Sequence, residues 1–157
     1  MKKKLLIIGL CFVTALALTG CSKKVSHVEG NLEDLMTSIY AGIEEENLPM
    51  MLQNVELTEE LEESFIGESD ISYKEAIASE SAVGSIAHSV VLIRMEEDVK
   101  EEKIETAKEE LKEKVNPRKW LCVGVEEVKV ESNGDLILVV LNDTIGDTLI
   151  ENFKNLK

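Results

Sequence analysis

VKVESNGDLILVVLN, residues 128–142, reads as two β-runs around a tight turn. Asn133-Gly134 is the dipeptide whose backbone tolerates positive φ at both positions, so the stretch predicts a hairpin with a two-residue type I′ turn. Its second arm decides more than the hairpin itself. Leu136 to Leu141 is apolar at every position, where a half-exposed strand would alternate. Either both faces of that strand are covered, or one of them serves a partner.

Outward from the hairpin, the periodicity changes on both sides. IGDTLIENFKNLK, which closes the chain, spaces Ile145, Leu149 and Phe153 four apart, the repeat of an amphipathic helix. On the other side, DVKEEKIETAKEELKEKV places Val99, Lys103, Ala107, Leu111 and Val115 in one row, with Ile104 beside it, and Asn116-Pro117 ends that helix. Before it, ISYKEAIASES and SIAHSVVLIRM predict two more strands. The second is richer in Val and Ile and more central, and it contains His88. Earlier still, NLEDLMTSIYAGI predicts a helix with Asn31 as N-cap. A break follows at Pro49, and LTEELEESFIG predicts a short helix capped by Thr58 and stopped by Gly67. The expected architecture is α+β: an antiparallel sheet of about four strands (strand-strand-helix-strand-strand-helix), preceded by N-terminal helices, with the helices mainly on one face.

The first residues, MKKKLLIIGLCFVTALALTGCSKK, have the order of a secretory signal peptide: Lys2, Lys3 and Lys4, then an uncharged run from Leu5 to Ala17. That run is shorter than the roughly 20 apolar residues a membrane-crossing helix needs. Leu18, Thr19, Gly20 and Cys21 match a lipobox, in which a branched apolar residue and two small ones precede the thiol that takes a diacylglyceryl group. The expected organisation is a signal peptide over 1–20, lipidated Cys21 with a flexible spacer over 21–30, and one α+β domain over 31–157. Two acyl chains give stable anchoring where one is marginal. This places the protein on the outer face of the cytoplasmic membrane, exported by the general route.

The formal net charge is −14, and removal of the three n-region lysines takes it to −17. Phosphate binding needs clustered Lys and Arg, so nucleic acid is excluded as a partner. Loss of Cys11 with the signal peptide and lipidation of Cys21 leave Cys122 without a disulfide partner, so it is either buried or reactive, and its neighbours Leu121, Val123 and Val125 favour burial.

The lipobox, the LPMM turn, TEELEESFIG before a strand, SVVLIRMEED leading into a Glu/Lys-rich helix, NPRKW, and VKVESNGDLILVV together resemble the small Gram-positive lipoprotein family labelled domain of unknown function forty-three fifty-eight. The resemblance covers most of the mature chain. It implies secretion, lipidation and an α+β domain, and supplies no catalytic residues.

The residues themselves carry no catalytic set. His27 and His88 have no metal-ligand spacing with Cys122, no calcium loop of the D-x-D-x-D-G kind occurs, and no nucleophile elbow or phosphate loop is present. No metal, cofactor or enzymatic activity is expected. Three residues stand out as contacts for a ligand or partner. Trp120 follows two positive charges and is either a core lid or an exposed anchor. His88 lies among apolar residues. Glu126 interrupts an apolar run, as a bulge or as an exposed strand edge. Met50 and Met51 either line an adaptable groove or fill gaps. The expected function is a membrane-anchored, non-enzymatic domain acting through an envelope protein; the alternative is a ligand- or ion-binding or enzymatic pocket assembled only in the fold.

Overall fold

A five-stranded antiparallel sheet forms the centre of the structure, a computed structural model that describes residues 24–157. Its strands are β1 (Leu52–Glu56), β2 (Tyr73–Ser81), β3 (Ser89–Met95), β4 (Lys129–Asn133) and β5 (Leu136–Leu141). They lie in the order β1-β2-β3-β5-β4. The α-helices are α1 (Leu32–Ile39), α2 (Glu62–Ile66), α3 (Glu101–Lys114) and α4 (Gly146–Lys154). Among the described residues no helix is long and apolar enough to cross a membrane.

The all-apolar run of β5 has its explanation in this order. β5 pairs with β3 on one side and β4 on the other, and all six of its residues are buried. Ile137, Val139 and Leu141 face a core completed by α2 and α3, through Phe65, Ile66, Ile104, Ala107 and Leu111. Leu136, Leu138 and Val140 face a second core completed by α1 and α4, through Leu35, Met36, Ile39, Leu149 and Phe153. Helices therefore cover both faces, which corrects the expectation of one helical face. β5 consequently has neither an edge nor a face free for pairing with a second copy.

β1 adds a fifth strand to the expected four. Its half-buried residues, Leu52 and Val55, are three apart, so no period-two pattern marked it, and Pro49 pointed to a break. Its register on β2, from Leu52 opposite Ser81 to Glu56 opposite Ile77, supplies the ladder that the local sequence does not advertise.

The hairpin closes on the pair Asn133 and Leu136, so its central residues are Gly134 and Asp135. Only Gly134 has positive φ, at 56°. This is the pattern of a type II′ turn, with glycine at the first central position, where Asn133-Gly134 predicted type I′. Asp135 thereby leaves the turn with its side chain directed back to the fold, which matters below.

α1 starts as expected: Asn31 Oδ1 accepts from the Asp34 N–H at 2.9 Å, satisfying one of the orphan donors of the first turn. Asn31→Ala should cost about 1 kcal/mol in urea unfolding. α2 begins later than predicted. Thr58 contributes only its carbonyl to a preceding turn, accepting from Leu61 and Glu62, and its side chain caps nothing. Gly67 ends α2 with φ 69°, as the sequence suggested. In α3 the buried row is Ile104, Ala107 and Leu111, flanked by Val99 and Val115, while Lys103 turns outward.

Candidate functional site: the Arg94 clamp

β3 is buried at every position, yet its sixth residue is an arginine. Alternation along the strand puts Arg94 on the same face as Val90 and Leu92, the α1/α4 side. Its side chain is 3% exposed, and every nitrogen of the guanidinium has a partner. Nε donates to Glu75 Oε1 at 2.9 Å, across the strand pair with β2. Nη1 donates to the Val28 carbonyl at 2.9 Å and to Asp135 Oδ2 at 3.1 Å. Nη2 donates to the Gly30 carbonyl at 2.7 Å. A planar fork of donors suits this arrangement, which a lysine's single ammonium would not satisfy.

Asp135 completes the clamp from the hairpin turn. Its Oδ1 accepts from the Val28 N–H at 2.9 Å, and its Oδ2 lies 2.6 Å from His27 Nδ1. Burial pushes this carboxyl up, but the hydrogen bonds from Val28, His27 and Arg94, with the arginine's charge, outweigh it and hold the group below the usual carboxylate range. Two elements far apart in sequence, β3 and the β4–β5 turn, thus grip one segment, residues 27–30.

That segment was expected to be flexible spacer. Instead Val28 is buried in the α1/α4 core, and Lys24 forms an isolated antiparallel bridge with Lys100 and an ion pair with Asp98. The Ser26 carbonyl packs so closely on Gly134 that a Cβ there would sit 2.4 Å from it. Residues 24–30 are a strap laid across the end of the sheet that holds Met95 and the β4–β5 turn. A groove of about 420 Å³ opens beside it, lined by Lys24, His27, Lys74, Arg94, Glu97 and Asp135 among others. Its charges are mixed in sign and mostly paired with each other. A larger cleft of about 740 Å³ lies between the 95–100 turn and α3. Among the described residues no three His, Cys, Asp or Glu side chains are grouped to hold a metal ion.

The residues singled out from sequence do not converge. His88 is fully buried one residue before β3, outside the strand that was expected to contain it. Asn142 Oδ1 accepts from the N–H groups of Thr144 (2.8 Å) and Ile145 (2.7 Å), which turns its amide nitrogen toward His88 Nδ1 at 3.0 Å. An amide nitrogen only donates, so Nδ1 is the acceptor. The ring proton sits on Nε2, 2.7 Å from the Tyr40 hydroxyl at the end of α1. His88 is thus a neutral, fully satisfied core residue, and burial lowers its pKa to about 4. Burial likewise raises the Tyr40 hydroxyl to about 12, against a hydrogen bond from Ser79.

Trp120 packs half-buried on the opposite face of the sheet, against the α2/α3 core, and its Nε1 has no partner among the described residues. Beside it the Lys119 ammonium lies 3.8 Å from the centre of the Phe65 ring and 3.0 Å from Glu80 Oε1. Burial lowers the lysine's pKa, with Glu80 working against it. Glu126 is exposed on the loop before β4, not on a strand, and its N–H donates to the Asp143 carboxylate at 3.1 Å. Cys122, expected to be buried, is exposed on the same loop. Val125 donates its N–H to the Pro117 carbonyl and is itself buried, so the loop closes on Val125 and its tip, Leu121 and Cys122, points to solvent. Leu18, Thr19, Gly20 and Cys21 lie outside the described residues.

Comparison of the chain with protein-family models, with curated proteins and with solved structures finds no match.

Proposed function

We propose that this protein is a lipoprotein held on the outer face of the cytoplasmic membrane by diacylglyceryl on Cys21, and that its domain is a non-enzymatic interaction module acting through an envelope protein. The resemblance to the small Gram-positive lipoprotein family points the same way. The observation that carries the reading is the strap. From Lys24 onward the chain is bound to the fold, through a buried arginine spent on two backbone carbonyls of that segment. Three peptide units separate Cys21 from Lys24, a reach of at most about 11 Å. A lipid on Cys21 would therefore hold the Met95 end of the sheet at the headgroups, with little freedom to swing. A fixed mount presents one end of the molecule outward, which suits recognition of a neighbouring protein. His88, Trp120 and Glu126, expected as contacts for a ligand or partner, are dispersed over the core, the far face and a surface loop and form no common site.

The test is crosslinking on intact cells with tagged full-length chain beside a Cys21→Ala form, followed by mass spectrometry. A specific envelope protein captured by the first and lost with the second is expected. Equal capture by both forms, or none by either, would contradict the reading.

A further inference from the structure

The two edges of the sheet are finished differently. β4 is packed by α3 and α4 and has no exposed residue. β1, at the other edge, has Gln53, Asn54 and Glu56 exposed, and among the described residues no strand pairs with its outer side. The Leu57 N–H donates to the Ala76 carbonyl, and the Met51 carbonyl accepts from the Ala82 N–H. In an antiparallel ladder inward-bonding residues alternate, so 51, 53, 55 and 57 face β2, and Leu52, Asn54 and Glu56 present their N–H and C=O groups outward. Such an edge is a template for another strand unless it is blunted, and β1 contains neither Pro nor Lys.

Two further features mark this edge. Met50 and Met51, which enter β1, are 67% and 66% exposed. Leu121, 97% exposed, lies two residues beyond Lys119, whose partner Glu80 stands opposite Gln53 in the register. These are the exposed large apolar side chains of the described residues, and all three lie at the end of the sheet away from the strap. The second feature is charge. From Val25 to Tyr73 the chain has thirteen Asp and Glu residues and no Lys or Arg. Glu44 to Glu46 precede the edge, Glu56 is its last residue, and Glu59 and Glu60 follow it, all exposed. A second copy of this chain would bring like charge against like charge, which disfavours self-pairing.

We propose that the outer edge of β1 receives an extended, cationic segment of a partner protein as a sixth strand. Apolar side chains of that segment meet Met50 and Met51, and its Lys or Arg residues meet the flanking glutamates. Main-chain hydrogen bonds supply the affinity in this mode, and side-chain pockets and charge supply the selection. The proposal rests on the partner-binding reading above and assigns it a surface.

The test places a photoreactive phenylalanine analogue at position 53, at position 50, or at position 112 on the exposed side of α3, in the full chain on intact cells. Adducts with a second protein from positions 53 and 50, and not from 112, are expected. Asn54→Pro removes one outward N–H while leaving every bond to β2, a change an edge strand accepts. It should lower the adduct yield about fivefold or more, and Asn54→Ala should not. Should Asn54→Pro fail to fold, Glu44→Lys combined with Glu45→Lys and Glu46→Lys addresses charge instead, with the same expected direction. Adducts from 112 alone, or yields insensitive to both variants, would overturn the edge while leaving partner binding in place. Adducts of twice the chain's own mass would assign the edge to a second copy and overturn the proposal. No adduct from any position would overturn both.

Discussion

Replacing Arg94 with methionine should destabilise the protein by about 3–5 kcal/mol, the cost of removing one partner from a buried ion pair. Methionine keeps the apolar stem, so the loss isolates the guanidinium. The change leaves the Asp135 carboxylate buried beside His27 without its strongest counter-charge, and leaves the carbonyls of Val28 and Gly30 without donors. Glu75 is half-exposed and will return to water at small cost. Arg94→Lys should recover little, because one ammonium cannot serve partners set around a planar fork. Urea unfolding measures the total. Hydrogen exchange at the Val28 amide, which donates to Asp135, separates two routes to it: release of the strap alone speeds that amide and spares β5, whereas global loss speeds both. A double variant, Arg94→Met with Asp135→Leu, should cost less than the sum of the single changes, since it removes both charges together. A loss below about 1 kcal/mol for Arg94→Met would mean that the clamp behaves as a surface pair.

The second large effect is acid lability centred on His88. Its folded pKa of about 4 lies below the ordinary value of 6.5, so the unfolded chain binds the proton more tightly. Stability from this group is therefore complete above about pH 6.5 and is lost as pH falls toward 4. Between pH 7 and pH 5 the loss should be about 2 kcal/mol. The physical reason is in the partners: a second ring proton would have to sit on Nδ1, facing the amide hydrogens of Asn142, whose orientation the backbone of Thr144 and Ile145 fixes. Urea midpoints at the two pH values measure the slope. His88→Gln, whatever its absolute stability, should lose that share of it. Asp135, whose carboxyl is held low, adds a further loss only at more acid pH, as it is protonated.

How far the fold could be read from sequence follows from the range of the interactions involved. Leu136 to Leu141 announced a strand covered on both sides, because burial of consecutive residues is a local pattern. Asn31 and Gly67 were legible as helix punctuation for the same reason. β1 was hidden because an edge strand needs little apolar content of its own and borrows its ladder from β2. The turn type went astray by one residue: Asn133-Gly134 carries its own preference, but the register of β4 on β5 moved the turn to Gly134 and Asp135. Cys122 kept apolar neighbours in sequence and lost them in space.

The clamp was invisible for a deeper reason. His27, Glu75, Arg94 and Asp135 are scattered along the chain, and each has a bland local reading as spacer, strand face, strand end or turn. One signal was available: an arginine inside the otherwise apolar run SVVLIRM has to find its partners somewhere.

In the proposed reading the strap from Lys24 mounts the domain on a lipid at Cys21. The most direct measurement is the mass of the mature N-terminus of the protein extracted from membranes of its own cells. The predicted result is a chain beginning at Cys21 and carrying at least two acyl chains through a glyceryl thioether. A chain recovered from the medium or cytoplasm with an unmodified Cys21, or beginning at any other residue, would contradict it.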